Sequence, residues 1–254
     1  MKKFDNKVAI ITGGSGSIGF ETAKNMAEKG AKVLIVDIDE KALQEKEKEA
    51  KEAGLEISYC VADVTNSDQV KSYVDTCIER YGKIDFFFNN AGIEGVVKPI
   101  QDYPEDTFDK VLAVNVKGVF LGMKYVIPKI EDGGSIVITS SVAGFQGSPG
   151  VVAYTTSKHA VIGIMRTAAL ELGSRNVRVN SLHPGVVDNR MMRSLEDGMN
   201  PGHGDEVKTQ MENSVPLKRY ATSEDISNMA TFLFSDESSY VNGTTLSVDG
   251  GMKA

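Results

Sequence analysis

The stretch VAIITGGSGSIG, residues 8–19, decides how this chain folds. It starts as an apolar run of the length of a buried strand and passes directly into a glycine-rich turn. We predict a strand over 8–12 and a helix from about Ile18 to Lys29, closed by Gly30. A strand, a glycine-rich turn and a helix in this order can hold a pyrophosphate, because backbone amides approach it and the helix N-terminus adds favourable dipole charge.

Strands and helices alternate along most of the remaining chain. Short apolar strands separated by helices indicate βαβ units, whose parallel sheet is covered by helices on both faces. Right-handed crossovers then produce a doubly wound (Rossmann) α/β sheet, here of about seven strands. The further strands are predicted at 32–36, 56–61, 84–88, 135–139, 177–182 and 244–248, and the further helices at 41–53, 67–81, 105–130, 153–172 and 223–234.

The alternation breaks after Pro184. Residues 189–215 are rich in Met, Gly, Asn and Pro, and we expect them to form a loop that contributes the substrate region. The chain contains no stretch with the composition of a linker, an internal repeat or low-complexity sequence. We therefore predict one dinucleotide-binding and catalytic domain over 1–254.

The composition restricts the partners and the compartment. The 254 residues are 41% hydrophobic, enough for a full core, and their net charge of −7 disfavours nucleic acid and anionic membranes as partners. No stretch has the pattern of a signal sequence or a membrane span. Cys60 and Cys77 lack metal or redox spacing and indicate buried thiols in a reducing cytoplasm. Three scattered histidines predict no metal site.

Asp37 ends the second strand, 18 residues after Gly19. A carboxylate at this place accepts hydrogen bonds from the hydroxyls of an adenosine ribose and repels a 2′-phosphate. The 13–19 turn contains no Arg or Lys, and Ile38 rather than a basic residue follows Asp37. We therefore predict NAD(H) in preference to NADP(H). The alternative is that Asp37 only caps the following helix.

Two further strand ends carry candidate nucleotide contacts. Asp63 and Val64 follow the third strand, where an adenine would lie, and the alternative is again a helix cap. The fourth strand ends in Asn90, Ala91 and Gly92, where small residues leave room for a ribose against the backbone. A purely structural turn is compatible with the same residues.

Ser141, Tyr154 and Lys158 form the candidate acid–base group. Tyr154 and Lys158 are four residues apart on a predicted helix and therefore share one face. An ammonium beside a phenol favours the phenolate and is expected to lower the pKa of Tyr154 from about 10. Such a tyrosine exchanges protons near neutral pH, and a serine hydroxyl beside it can hold the oxygen of an alcohol or a carbonyl.

Taken together, these motifs resemble those of the short-chain dehydrogenase/reductase family in its single-domain branch. The thirteen-residue step to Tyr154 selects Ser141 rather than Ser140 as the active hydroxyl. Each motif is modest alone, but their order and spacing together are specific. The resemblance extends from Lys7 to the VDGG sequence at 248–251, and it rests on TGGSGSIG, Asp63 with Val64, NNAG, Asn115, SSVAG, YTTSK and Pro184 with Gly185.

The resemblance implies a nicotinamide ring beside Tyr154 and a role for each site residue. Tyr154 would exchange the proton of the reacting oxygen, and Ser141 would hold that oxygen and stabilise its charge. Lys158 would lower the pKa of Tyr154 and bind the nicotinamide ribose, while Asn115 would hold a water that links Lys158 to solvent. Hydride would move between the ring and the carbinol carbon. The implied cofactor contacts are Gly13, Ser15, Ser17, Ile18, Gly19, Asp37, Ile38, Asp63, Val64, Asn90, Ala91, Gly92, Tyr154, Lys158, Pro184, Gly185, Val187 and Asn189.

Two positions depart from the family pattern. Ser17 stands where a glycine is usual, and its amide or hydroxyl could contact phosphate instead. Asn189 stands two residues after Val187, where a threonine is common, and its amide could replace that hydroxyl at the carboxamide or the diphosphate. The family also implies a homotetramer built on the helices at 105–130 and 153–172.

The resemblance places the substrate region after NNAG, after the active serine near Phe145, and in 189–215. Methionines in the last segment are adaptable and favour an apolar substrate, or they merely close over the cofactor. Glu94 and Gln146 could bond a second polar group on the substrate, or face water. The candidate substrate contacts are Glu94, Gln146, Met191, Met192 and Leu195.

Three functions compete. FFFNNAGIEG and SSYVNGTTLSVDGG are similar to reductases of cyclic ketones and diketones, with hydroxysteroid and polyol dehydrogenases nearby, so we predict an NAD-dependent secondary alcohol dehydrogenase or ketone reductase. A 3-oxoacyl-[acyl-carrier-protein] reductase ranks second, because Pro128 and Leu170 stand where those enzymes hold the acidic carrier with arginines. A non-catalytic NAD-sensing protein is disfavoured, since the candidate catalytic residues are intact. A sugar-nucleotide epimerase would need a longer C-terminal portion.

Overall fold

The computed structural model describes residues 2–254, which form one seven-stranded parallel sheet. Its strands are β1 (Val8–Thr12), β2 (Lys32–Asp37), β3 (Ile57–Val61), β4 (Ile84–Asn89), β5 (Ile130–Thr139), β6 (Arg178–Pro184) and β7 (Thr245–Val248). The spatial order is β3-β2-β1-β4-β5-β6-β7, and β1 pairs with both β2 and β4. The strand order therefore reverses between β1 and β4. The predicted doubly wound α/β sheet is confirmed.

Helices cover both faces of this sheet. Successive strand residues point to opposite faces, so that Ile10 belongs to one apolar cluster and Ile11 to the other. Within residues 2–254, no helix is long and apolar enough to cross a membrane. The first cluster is closed by α3 (Ser67–Tyr81), α5 (Val119–Val126) and α6 (Val152–Glu171), and the second by α1 (Ser17–Glu28), α2 (Glu40–Glu52) and α9 (Ser223–Phe234).

The helix predicted at 105–130 is interrupted and ends early. It consists of α4 (Glu105–Leu112), a π-helical turn (Ala113–Gly118) and α5. Pro128 has no N–H with which to continue the helix, and Ile130 already pairs with Ile84 at the start of β5. The prediction of one continuous helix was wrong in this respect. The π-helical turn carries the candidate catalytic residue Asn115.

The segment 189–215, predicted to be a loop, is mostly helical. It forms α7 (Arg190–Met199) and α8 (Gly204–Ser214), which pack beside the carboxyl end of the sheet near Val186 and Tyr220. Asn189 supplies the α7 N-cap, since its Oδ1 accepts a hydrogen bond from the Met192 N–H at 3.0 Å. The Met, Gly and Asn content suggested a loop, but the segment forms short helices whose methionines Met192 and Met211 pack against the apolar cluster that contains Val186 and Tyr220.

Candidate active site

The carboxyl ends of β1 and β4 are joined by Thr12. Its Oγ1 accepts hydrogen bonds from the Asn90 N–H (3.0 Å) and the Ala91 N–H (3.1 Å). The Asn90 side chain adds to this connection, because its Nδ2 donates to the Thr12 carbonyl (3.1 Å) and its Oδ1 accepts from Thr139 Oγ1 (2.9 Å). The NNAG segment therefore lies directly beside the glycine-rich turn, at the point where the strand order reverses. Open α/β sheets bind their ligands at this point.

The glycine-rich turn is shaped by close backbone contacts. Gly13 has a φ of +64°, which favours glycine. A Cβ on Gly14 would lie 2.5 Å from the Ile35 Cβ, and one on Gly19 would overlap the Gly13 carbonyl. The first turn of α1 also has no side-chain N-cap, whereas Asp39 caps α2 and Asn66 caps α3. The N–H groups at the start of α1 are thus free to bind an anionic group.

Asp37 is anchored beside this turn. Its Oδ2 accepts from the Ser15 N–H (3.1 Å) and Ser15 Oγ (2.6 Å), and its Oδ1 accepts from the Ile38 N–H (2.8 Å). The carboxylate retains one of its roughly four acceptor positions for a further donor. Asp37 is not the cap of α2, because Asp39 accepts the capping bond from the Ala42 N–H. The helix-cap alternative for Asp37 is therefore wrong.

Asp63 shapes the turn between β3 and α3. Its Oδ1 accepts hydrogen bonds from both the N–H and the Oγ1 of Thr65, each at 2.8 Å. Asn66, not Asp63, caps α3. The neighbouring Val64 lies against the π-helical turn, since a Cβ on Gly118 would come within 2.9 Å of Val64 Cγ2. Asp63 Oδ2 accepts none of these bonds and remains available.

The two adjacent serines at the end of β5 have different roles. Ser140 is fully buried, and its Oγ donates to the Lys158 carbonyl at 2.8 Å. Ser141 Oγ accepts from the Ala143 N–H at 3.1 Å, which leaves its O–H proton for another acceptor. This difference supports the choice of Ser141, since the Ser140 hydroxyl already serves the backbone of α6.

Tyr154 and Lys158 lie one turn apart on α6, with Lys158 Nζ 5.4 Å from the centre of the Tyr154 ring. Removal from water raises the pKa of Tyr154 to about 12, and the charge of Glu94 acts in the same direction, although the Ser141 hydroxyl opposes both. Burial lowers the pKa of Lys158 to about 8. The predicted lowering of the Tyr154 pKa is wrong for this structure, because desolvation is the largest effect on the phenol.

Lys158 and Asn115 face a common space beside Gly92. A Cβ on Gly92 would lie 3.3 Å from Asn115 Oδ1 and 3.4 Å from Lys158 Nζ. One Lys158 donor reaches the Thr139 carbonyl at 2.9 Å, so two remain. The Asn115 amide bonds the main chain of Ile93 through both its atoms and also donates to Ser157 Oγ. Only one lone pair of Oδ1 is left for a water.

The end of β6 forms the opposite wall. The Gly185 N–H donates to the Val248 carbonyl at 3.0 Å, and a Cβ on Gly185 would come within 2.9 Å of Asp249. Val187 forms a short bridge with Ala221. Pro184, Gly185, Val187 and Asn189 thus run from the carboxyl end of β6 to the N-cap of α7.

The candidate substrate residues fall into two groups. Glu94 is buried and forms a two-pronged ion pair with Arg190, with N–O distances of 2.9 and 3.3 Å, so the alternative that it faces water is wrong. Gln146 is exposed and accepts from Lys253 Nζ at 2.8 Å. On α7, Leu195 is buried, while Met191 and Met192 are half-buried.

Arg190 and His183 belong to the site and were missed from the sequence. Arg190 directly follows Asn189 and pairs with Glu94, a partner 96 residues earlier that no local pattern indicates. His183 directly precedes Pro184, and its Nδ1 lies 2.9 Å from the Ser141 carbonyl. Its position at the end of a predicted buried strand was the one available signal.

Substitution of Arg190 by alanine tests the ion pair with Glu94. The Glu94 side chain is only 7% exposed, so Arg190→Ala leaves a buried carboxylate unpaired, and we expect a loss of about 1–3 kcal/mol in the free energy of unfolding. Arg219→Ala breaks the more exposed pair with Asp225 and should change stability less. Equal melting temperatures for the two variants would contradict a structural role of the Glu94 pair.

Known proteins that are similar in sequence and fold identify the family. A family model described as enoyl-(acyl carrier protein) reductase matches residues 13–253. Levodione reductase of Leifsonia aquatica is 36% identical over 99% of this chain and 96% of its own length. The chain belongs to the short-chain dehydrogenase/reductase family. It is an oxidoreductase that acts on CH–OH groups or ketones, as the sequence predicted.

Other members of the short-chain dehydrogenase/reductase family are equally similar along their whole length. A 3-oxoacyl-[acyl-carrier-protein] reductase of Thermotoga maritima is 37% identical over 98% of this chain and 99% of its own. The crystal structure of levodione reductase superposes with a TM-score of 0.95, covering 98% of each chain. That of NAD⁺-bound xylitol dehydrogenase gives 0.92 at 38% identity, covering 98% of this chain and all of the other. Further solved structures with this fold hold NADPH.

Proposed function

We propose that this short-chain dehydrogenase/reductase is an NAD(H)-dependent enzyme that interconverts a secondary alcohol and a ketone within a single domain over residues 1–254. The observation that carries the proposal is that Tyr154 lies between the Ser141 hydroxyl and Lys158, whose Nζ is beside Gly92 at the carboxyl edge of the sheet. The proton-transfer group and the space for a cofactor ribose are therefore adjacent.

Each catalytic residue has a proposed task. Tyr154 donates the proton to the substrate oxygen in reduction and removes it in oxidation. Ser141 holds the same oxygen through its O–H, while its Oγ accepts from the Ala143 N–H. Lys158 uses its two remaining donors on the cofactor ribose and on a water. Asn115 holds that water through the remaining lone pair of Oδ1, which connects Lys158 to solvent.

The residues present fit a nicotinamide dinucleotide. The uncapped start of α1 and the glycine-rich turn, including Ser17, suit the pyrophosphate. Asp37 suits the adenosine ribose, with Ser15 holding the carboxylate in place. Its negative charge and the exposed Ile38 support NAD(H) over NADP(H). When bound, the nicotinamide supplies or accepts the hydride.

Further cofactor contacts are proposed along the rest of the edge. Asp63 suits the adenine through its remaining carboxylate oxygen, with Val64 packing beside it. Asn189 caps α7 through Oδ1, so its Nδ2 is the atom left for the cofactor. The remaining proposed contacts are Gly13, Ile18, Gly19, Asn90, Ala91, Gly92, Pro184, Gly185 and Val187.

An apolar or cyclic ketone is the proposed substrate. Met191, Met192 and Leu195 on α7 offer adaptable apolar contacts, and Phe145 adds a partly exposed ring. Glu94 and Arg190 supply one polar wall, which suits a second oxygen on the substrate. The similarity to levodione reductase supports a cyclic diketone or a related ketone.

Reduction of an acyl group on a carrier protein is the second candidate, because a 3-oxoacyl-[acyl-carrier-protein] reductase is as similar in sequence. Pro128 and Leu170 are both exposed and uncharged, and the net charge of −7 repels an acidic carrier. We therefore rank this function below ketone reduction.

We also propose a cytoplasmic homotetramer. Phe120 and Leu170 are 51% and 86% exposed on the helices that would form its interfaces, and burial in an assembly would remove them from water. Cys60 and Cys77 are both free thiols, which suits a reducing compartment. Sedimentation of the purified protein as a monomer at micromolar concentration would contradict the tetramer.

The pKa of Tyr154 predicts opposite pH dependences for the two directions. At a pKa of about 12 the phenol is protonated at neutral pH, so ionisation of Tyr154 should not limit reduction, which should decline only above about pH 8, where Lys158 loses its charge. Oxidation requires the phenolate, whose fraction rises tenfold per pH unit below the pKa, and should accelerate with pH. Initial rates at saturating cofactor measure both. Oxidation that is fastest at pH 6 would contradict this assignment.

A substrate panel tests the proposed function. Rates of NADH oxidation are measured with cyclic diketones, steroid ketones, ketoses and acetoacetyl thioesters. We expect the cyclic ketones and diketones to have the highest kcat/KM. A higher value for acetoacetyl thioesters, rising further when the acyl group is on a carrier protein, would favour the second candidate.

A further inference from the structure

We propose that His183 is a positioning residue for Ser141, fixing the main chain that carries the active hydroxyl. The inference rests on the function proposed above for Ser141. His183 is fully buried at the end of β6, and its Nδ1 lies 2.9 Å from the Ser141 carbonyl oxygen. Neither the proton transfer nor the cofactor contacts described above use this histidine, so its burial needs a separate explanation.

The imidazole provides a contact one residue beyond the last backbone bond between β5 and β6. The parallel ladder pairs Thr139 with Leu182, and the Ser140 N–H donates to the Leu182 carbonyl at 2.8 Å. Two residues further along β6 stands Pro184, which has no N–H to donate to β5. The side chain of His183 crosses between the strands at this point and reaches the next residue of the active segment, Ser141.

The partners of the ring determine its tautomer. A carbonyl oxygen only accepts, so Nδ1 carries the proton and donates to Ser141. Nε2 then accepts from Ser181 Oγ at 2.8 Å, which requires a neutral ring. Burial lowers the pKa of His183 to about 4, and the positive charges of Lys158 and Arg166 act in the same direction. Both contacts of the ring, with Ser141 and with Ser181, are therefore present throughout the neutral range.

Ser141 is consequently held through both its backbone carbonyl and its side chain. Its carbonyl accepts from His183 Nδ1 and from the Gly144 N–H at 2.8 Å, and its Oγ accepts from the Ala143 N–H. Loss of the imidazole removes the one contact of this set that comes from outside the segment 141–144. The remaining bonds of Ser141 are local, and without the imidazole its link to the sheet would pass only through the anchored backbone of Ser140, so we expect the hydroxyl to be less precisely placed.

Phe145 links the same histidine to the substrate region. Its ring stacks on the imidazole with the ring centres 4.1 Å apart and the planes 15° apart, while 37% of Phe145 remains exposed. His183 thus supports both the serine segment and the aromatic side chain four residues later. A substitution of His183 should therefore affect substrate turnover more than cofactor binding.

The test compares donorless and donor-retaining substitutions. His183→Leu should lower kcat for ketone reduction by about 10–100-fold, because small displacements of a catalytic group have effects of this size. The NADH dissociation constant should change by less than about twofold, since the cofactor contacts are elsewhere. His183→Asn retains an N–H near the position of Nδ1 and should recover most of kcat. If the leucine variant does not fold, His183→Ala takes its place.

The control is His159→Asn, which changes an exposed histidine whose Nδ1 also lies 2.9 Å from a backbone carbonyl, that of Thr155. It should leave kcat unchanged. In a Ser141→Ala background, His183→Leu should have little further effect on kcat. Wild-type kcat in His183→Leu, or an equal loss in the Ser141→Ala background, would overturn the inference. Full activity of Ser141→Ala itself would instead overturn the proposed function.

Discussion

Tyr154→Phe should reduce turnover in both directions by about 10²–10⁴-fold, the usual contribution of a positioned acid or base. The substitution removes one oxygen atom and keeps the ring in place. NADH affinity should survive, because the glycine-rich turn and Asp37 lie elsewhere and Lys158 keeps its bond to the Thr139 carbonyl. Single-turnover rates and NADH fluorescence titration measure the two properties separately.

Tyr81→Phe is the matched control for this loss. Tyr81 is a half-buried tyrosine at the end of α3 whose hydroxyl pairs with Ser58 Oγ at 2.7 Å, far from α6 in the sequence and on another helix. Its removal costs a single hydrogen bond and should leave turnover near the wild-type value. Comparable activity of Tyr154→Phe and Tyr81→Phe would show that another group transfers the proton.

The double substitution Asp37→Ala, Ile38→Arg should move cofactor preference towards NADP(H) by about 10²–10⁴-fold, since charged hydrogen bonds contribute about 1.5–3 kcal/mol each. The change removes the carboxylate that would repel a 2′-phosphate and adds a cation at an exposed position. The ratio of kcat/KM for NADH and NADPH measures the preference.

Asp39→Asn provides the control for the change in charge. Asp39 is exposed two residues further along and caps α2 through Oδ1, which an asparagine side chain also provides. The Asp39→Asn substitution removes one negative charge without touching Ser15. The cofactor preference of this variant should match that of the wild type. A wild-type enzyme that already prefers NADPH would contradict the role assigned to Asp37.

The fold was predictable because local signals agree with the final structure. The strand 8–12 and the helices 67–81 and 223–234 have the predicted bounds, since apolar runs and strong caps such as Asn66 mark their ends. The interruption of the helix predicted at 105–130 was not predictable, because apolar spacing reveals neither the π-helical turn nor the early end of the helix. Short helices in 189–215 depend on burial against the sheet edge.

The residues of the candidate site could be predicted from the sequence, but their pKa values could not. Tyr154 and Lys158 follow from helical spacing, but spacing does not reveal how far each is withdrawn from water. The prediction that the pKa of Tyr154 is lowered was wrong for this reason. The Glu94–Arg190 pair and the His183–Ser141 contact join residues far apart in sequence, and only the sheet order brings them together.

Transfer of deuterium from NADH labelled at C4 tests the central claim most directly. The enzyme is incubated with each of the two C4-labelled forms and a cyclic diketone, and the alcohol is analysed by mass spectrometry and NMR. We predict that one form delivers a single deuterium to the carbinol carbon, and that Tyr154→Phe delivers almost none in the same time. Consumption of NADH without label at that carbon, or equal labelling by the Tyr154→Phe variant, would contradict the account.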